Sequence, residues 1–372
     1  MKIALLLPTS DMFPTLAKDF LNGFKLGVQE NIAEVELFIE SIGKASNEDV
    51  LKVAEKLLLQ EDIDLTISFC SIFHLDAMVE KFDKYKIPLL FVDLGGSIPK
   101  KVHFSPYVLH HSLHLCDSAY LAGTIAAEKF GKKGALLSSF YDGGYQLSSS
   151  FVTGYLDAGG TIVYNNVSPM DYRSSNYEKM LKELKENRAE VAFSLFSFNE
   201  AKHFFEFLSE QDAEGLPFIM ASPVMTDESM QYPDFGNLPK TLSVASWSFE
   251  YGSANMVTFM ETFKATYGNV PNVISLLGHE SGLIANALIN NGEITFEKIK
   301  NTTIEGSPRG QILISKNNQT KPKKQLLRKF EFNGSAYINS VIEELSKGEP
   351  IDLVETFEEI QYSGWKNPYI CT

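Results

Sequence analysis

The sequence predicts an α/β fold of two doubly wound parallel-sheet domains, and three observations carry that prediction. Short apolar runs alternate with segments of helical periodicity from residue 3 onward, at the spacing of βαβ units. The alternation pauses over Asp93–His111, where Gly95, Gly96, Pro99 and Pro106 cluster, and then restarts with the same rhythm. The chain of 372 residues exceeds one typical domain and suits two. The second half repeats the architecture of the first, not its sequence.

In order, Ile3–Leu7 reads as the first strand. Leu16, Phe20, Phe24 and Val28 then mark one helix face, with Gly23 and Gly27 beside it for close packing. Val35–Ile39 is a strand, and Val50, Val53, Leu57 and Leu58 form the next helix face. Leu65–Phe69 is a strand, Leu75, Met78, Val79 and Phe82 mark a helix, and Leu89–Val92 is a strand. After the pause come a helix over Ala119–Phe130 and a strand over Ala135–Ser138. Leu147, Phe151, Val152, Tyr155 and Leu156 recur at helical spacing, and Gly159 and Gly160 end that helix. Strands at Thr161–Asn165, Val191–Leu195 and Pro217–Met220 alternate with helices at Tyr177–Lys185 and Glu200–Leu208. A strand at Leu242–Ala245 precedes helices at Ala254–Tyr267 and Ile274–Ile289 and a short one around Phe296–Lys300. The tail carries strand signals at Gln311–Ile314, Leu326–Phe332 and Ala336–Val341.

The turn at Asp142, Gly143 and Gly144 joins a buried strand to a helix, with Tyr145 and Gln146 at the helix start. Open α/β sheets bind ligands outside the carboxyl ends of their strands, so Tyr145 and Gln146 are candidate ligand contacts. A net charge of −14 argues against nucleic acid or an anionic membrane surface as a partner. No run of the sequence is long enough to span a bilayer. Cys70, Cys116 and Cys371 match no zinc spacing, and Cys70 reads as a buried, reduced residue, although the sequence does not decide whether Cys70 and Cys116 pair. Met1–Pro8 is too short for a secretory leader, which leaves a cytoplasmic chain or a mature form whose leader was removed.

These residues resemble a type I periplasmic binding protein of the leucine/isoleucine/valine and amide receptor family. Leu6–Pro8 with Phe20–Gly23 resembles the family's opening strand and Asn-Gly helix. Tyr141, Asp142 and Tyr145 with Ala158–Gly160 resemble its second-domain tyrosine turn and glycine helix end. Tyr267, Gly268, Pro271 and Gly278, followed by Ala287 and Leu288, resemble its late helices, and Gly306–Gly310 the loop before its late strand. The resemblance implies two lobes joined by three crossover segments, with a ligand cleft between them. It puts 1–117 and 249–320 in the first lobe and 118–248 and 321–372 in the second. It also implies a non-catalytic receptor without a cofactor, closing on an amino acid or amide-like ligand, with an ABC permease or a regulatory protein as partner. A cytoplasmic ligand-sensing regulator of the same fold is one alternative, and an unrecognised α/β enzyme is a second.

Carried over by position, the ligand-binding candidates are Ser71, Asp93, Leu94 and Gly95 with Phe13 in the first lobe, and Tyr145, Gln146, Phe198, Asp227 and Trp247 in the second. Ser71 would offer a hydroxyl and a helix start to a carboxylate, or only cap its own helix. Asp93 and Gln146 depart from the family, and a carboxylate at Asp93 would oppose a ligand anion unless it turns away to cap a turn. Asp227 is the nearest acid for a ligand ammonium, although an ordinary surface aspartate fits the position too. The aromatic strand ends, Phe13, Phe196, Phe198, Trp247 and Phe249 among them, favour a ligand with an apolar or aromatic body. No dinucleotide, P-loop or nucleophile-elbow motif supports an enzyme. His110, His111 and His114 read as surface histidines near the hinge and not as a metal site, and Lys321–Lys324 as a solvated basic loop.

Overall fold

The computed structural model describes residues 1–11, 13–101, 103–140, 146–213, 215–291, 295–345 and 353–356. The first sheet is wholly parallel and runs β2-β1-β3-β4-β5, from β1 (Lys2–Leu7), β2 (Glu36–Ser41), β3 (Leu65–Phe69), β4 (Leu89–Asp93) and β5 (Val108–Ser112). Helices α1 (Leu16–Gly27), α2 (Asn47–Gln60) and α3 (Leu75–Tyr85) connect its strands. Strands β3 and β4 are buried at every position, as sheets covered on both faces require.

The second sheet runs β15-β14-β10-β9-β8-β6-β7. Its parallel part comprises β6 (Lys133–Ser138), β7 (Thr161–Val167), β8 (Val191–Leu195), β9 (Phe218–Ala221) and β10 (Thr241–Ala245), alternating with α4 (Leu115–Lys129), α5 (Gln146–Asp157), α6 (Tyr177–Glu186) and α7 (Phe198–Ser209). Strands β14 (Gln325–Phe332) and β15 (Tyr337–Leu345) close it antiparallel. Between β10 and β14 in sequence lie α8 (Ala254–Tyr267), α9 (Val273–Asn291) and a small antiparallel sheet of β11 (Thr303–Ile304), β12 (Ile312–Ile314) and β13 (Thr320–Pro322). The turn α10 (Leu353–Thr356) follows β15. The chain therefore passes between the two lobes after β5, after β10 and after β13.

Each lobe is held by a helix pair packed through glycines. A Cβ on Gly23 would come 2.0 Å from the Ser275 carbonyl oxygen of α9, and one on Gly27 2.0 Å from that of His279. Gly278 and Gly282 return the contact from α9 onto α1, with virtual Cβ positions 2.1 and 2.5 Å from the Phe20 and Phe24 oxygens. In the second lobe Gly123 of α4 and Gly154 of α5 do the same, at 2.1 and 2.0 Å from the Phe151 and Tyr120 oxygens. Only glycine permits backbones this close. The α1–α9 contact brings the late helices back to the first sheet.

Three expectations are corrected. The pause after Asp93 contains β5, which pairs with β4 from Leu89/Val108 to Asp93/Ser112. Its His110 and His111 disguise a strand that is buried throughout, and they and His114 are not surface residues: they are 7, 0 and 6% exposed. The basic cluster at Lys321 is not a solvated loop, since Thr320–Pro322 is β13 and Lys321 lies 3.0 Å from Asp117 of α4.

Candidate functional site: the cleft between the lobes

Loops that follow the parallel strands of both sheets meet at the junction of the lobes, where a doubly wound fold places its ligands: Phe13 after β1 and Glu228 after β9 line one cavity, and Ile98 after β4 bonds to Gln146 after β6. At the end of β3, Ser71 is 4% exposed and caps the short 3-10 turn Ile72–His74, its Oγ accepting the Phe73 N–H at 3.5 Å. At the end of β4, Asp93 is 3% exposed. Its Oδ1 accepts the Gly95 N–H at 2.8 Å and lies 3.0 Å from His110 Nε2. The carboxylate thus sets the turn at Gly95 (φ +69°), where a Cβ would press on His114 N at 2.7 Å. Leu94 is fully buried, and its carbonyl and that of Gly95 accept N–H groups from Leu115 and Cys116 at the start of α4. Phe13 is half-buried on the β1–α1 loop, its N–H donating to Ser10 Oγ at 3.0 Å.

In the second lobe, Gln146 opens α5, and its Oε1 accepts the Ile98 N–H across the cleft at 2.5 Å. Asp227, after β9, is 2% exposed and caps the turn Glu228–Met230 through the Ser229 N–H at 2.9 Å, so it is not a surface aspartate. Trp247, after β10, is 2% exposed, and its indole N–H has no acceptor among the described residues. The Arg328 guanidinium lies 5.1 Å from the centre of the Trp247 ring and donates to the Trp247 carbonyl at 2.9 Å. Tyr145 and the Phe198 side chain lie outside the described residues. Phe196 is core, packed 4.7 Å from Phe204, as Phe69 is against Phe20 at 5.5 Å.

A cavity of about 550 Å³ opens between the lobes. Phe13, Lys18, Asp19, Tyr267 and Asn272 line it from the first lobe, and Glu228 and Ser229 from the second, with Phe249 from the connection between them. Of the aromatic residues singled out from sequence at the strand ends, Phe13 and Phe249 are in this wall. Asp227 is turned into its own cap, and its neighbour Glu228 is among the residues that line the cavity, with its carboxylate drawn inward to Asn339. Glu228 Oε1 accepts from Asn339 Nδ2 at 2.6 Å, while Oε2 is buried and unpaired among the described residues. Burial pushes the Glu228 carboxyl up from its usual range, with nearby Arg328 opposing. The sequence signal for this wall was the Tyr267–Pro271 loop, read as a family landmark and not as a lining.

Beside the cleft the three connections share one buried polar network. Arg309 and Glu280 form a bidentate pair with both side chains at 0% exposure, Nη2 to Oε2 at 2.5 Å and Nε to Oε1 at 2.9 Å. Arg309 also donates to Ser246 Oγ at 2.9 Å and to the Ser112 carbonyl at 3.1 Å. Ser246 Oγ donates to the Leu113 carbonyl at 2.8 Å. His111 lies 2.9 Å from Thr320 Oγ1 and 3.2 Å from Glu280. Burial would raise the Glu280 carboxyl, but Arg309 and His111 outweigh it and hold it well below the carboxylate range. Burial depresses His114 to about 3 against the opposing pull of Asp117, and Lys321 and His114 hold Asp117 at about 2 despite its burial. Cys70 and Cys116 are buried free thiols, with Cys70 pushed up by burial to about 12.

Residues 1–330 match the family described as periplasmic binding protein. No curated protein sequence matches the chain. Among solved structures, an ABC transporter substrate-binding protein from Sphaerobacter thermophilus superimposes with a TM-score of 0.80 at 19% identity, covering 94% of this chain and 99% of that one. A solute binding protein of an ABC transporter from Rhodopseudomonas palustris, in complex with 3,4-dihydroxybenzoic acid, gives 0.76 at 19% identity over 94% and 98%. A leucine binding protein from Thermotoga maritima gives 0.65 at 16% identity over 92% and 98%. With two α/β lobes, three connections and a cleft at the carboxyl ends of both sheets, and with that match over residues 1–330, this chain belongs to the periplasmic binding protein family.

Proposed function

We propose that the chain is the non-catalytic solute receptor of an ABC-type uptake system, and that its lobes close on a small ligand with an apolar or aromatic body and one polar end, either a carboxylate, as in an aromatic acid or an amino acid, or the neutral carboxamide of an amide-like relative. The observation that carries this reading is the interlobe cavity, whose wall combines Phe13, Phe249 and Tyr267 with Lys18, Asp19 and Glu228. Aromatic faces supply contact area and a few charged groups fix orientation. The aromatic acid and leucine named for the similar structures share a carboxylate on an apolar body, which supports the same ligand class. Tyr145, Phe198 and Ser71 remain the proposed contacts from the strand ends. Asp93 acts on the ligand indirectly, by fixing the Gly95 turn.

A ligand that binds only the folded state raises the melting temperature. Thermal-shift screening should therefore find stabilisation by members of a set containing benzoate, hydroxybenzoates, branched-chain amino acids and their amides. Tyr145→Ala should weaken the best of these by about 5- to 150-fold in calorimetric titration. Stabilisation by sugars or nucleotides alone, with none of these compounds active, would refute the ligand class.

A further inference from the structure

Loop 94–99 of the first lobe, which carries the candidate ligand residues Leu94 and Gly95, has a second-lobe side chain bonded to it on one side and α10 beside it on the other. On one side Gln146, the first residue of α5 in the second lobe, accepts the Ile98 N–H at 2.5 Å. On the other, Leu353 and Val354 of α10 border a void of about 30 Å³ together with Gly95, Ser97, Ile98 and Pro99. Ile98 and Leu353 are both buried, at 4 and 2% exposure, so water competes poorly for the Ile98 N–H. The bond spans 48 residues and links the carboxyl edges of two different sheets. Any rotation about the three connections that opens the cleft must break it.

We propose that Gln146 is a latch between the lobes, a side chain that holds the cleft shut through the Ile98 backbone and so sets the open–closed balance and the rate of ligand release. The inference rests on the hinge-closing reading above and assigns Gln146 to the closure, not to the ligand. One partly buried hydrogen bond between neutral groups shifts such an equilibrium by about 2- to 12-fold. A ligand's apparent affinity scales with the fraction of binding-competent protein, so the latch tunes affinity without touching the ligand.

The test is a distance measurement on the full chain. Spin labels at Glu55→Cys of α2 and Lys182→Cys of α6, both exposed positions, report the separation of the lobes by pulsed electron resonance, with Cys371→Ser removing the third native thiol. No solute is added. Gln146→Ala should raise the ratio of open to closed separation by about 2- to 12-fold. Gln146→Glu, whose carboxylate still accepts, should restore the parent ratio, and melting curves check that both variants fold. A ratio that Gln146→Ala leaves unchanged overturns the latch. So does a Gln146→Glu ratio as open as that of the alanine variant. The hinge-closing reading fails separately, if a stabilising compound from the thermal screen leaves the separation unchanged in the parent protein.

Discussion

At the scale of single residues, the strongest constraint is the Glu280–Arg309 pair. Two charges at 0% side-chain exposure persist because Arg309 has both Glu280 oxygens, Ser246 and the Ser112 carbonyl as partners. Removing one member leaves the other charged, buried and unmatched. Glu280→Ala should therefore cost about 3–5 kcal/mol, read as a lowered urea midpoint. Glu280→Leu combined with Arg309→Met should cost less than Glu280→Ala alone, because no buried charge is stranded. A double variant less stable than Glu280→Ala would place the pair's value in its direct attraction. None of this was visible beforehand: Arg309 lay within a loop landmark, and Glu280 was the one acid of its helix, set between His279 and Ser281 with nothing local to name its partner.

At the scale of elements, the glycine-packed helix pairs were partly legible. Gly23 and Gly27 stood beside an apolar face in the sequence, and they do pack closely, but their partners Gly278 and Gly282 lie 255 residues further on in each case. Gly23→Ala would set a methyl 2.0 Å from a backbone oxygen that no rotamer change can move. It should destabilise the fold by about 1–3 kcal/mol, whereas Gly252→Ala, with open space around it, should change the thermal midpoint little. Equal effects of the two substitutions would mean that the helices separate freely. Strand β5 was missed for a physical reason. Val108 and Leu109 are followed by two histidines, and periodicity assigns imidazoles to a surface. Here each imidazole meets an acidic partner from another segment, His110 with Asp93 and His111 with Glu280.

At the scale of the whole molecule, the buried groups of the hinge predict acid sensitivity. His114 titrates at about 3 in the fold against an ordinary value of 6.5, so between those limits the unfolded chain binds a proton that the folded chain refuses. Stability is complete above about pH 6.5 and falls as the pH drops below it. His111 is also depressed, through burial, and acts in the same direction. Asp117 and Glu280 have depressed carboxyls, whose stabilisation is present above their ordinary values of 3.8 and 4.5 and is lost as the pH falls further. Each proton taken up on unfolding contributes a slope of about 1.4 kcal/mol per pH unit. Urea midpoints should be level from pH 7 to 8 and decline from pH 6.5 to 4. A midpoint that rises on acidification from pH 7 to 5 would contradict the buried, neutral histidines.

The sequence by itself determined the alternation of strands and helices, the two α/β lobes and the glycine faces, because those features repeat over 2 to 4 residues and are written locally. Family resemblance added the crossing connections and the cleft. Only the tertiary structure decided that Asp93 sets its own turn, that Glu228 and not Asp227 lines the cavity, that His111 meets Thr320 across 209 residues, and that Gln146 reaches Ile98. Those outcomes depend on which distant groups arrive at the same buried place. A buried polar atom must take whatever partner the folded chain brings to it, and no local pattern in the sequence specifies that partner.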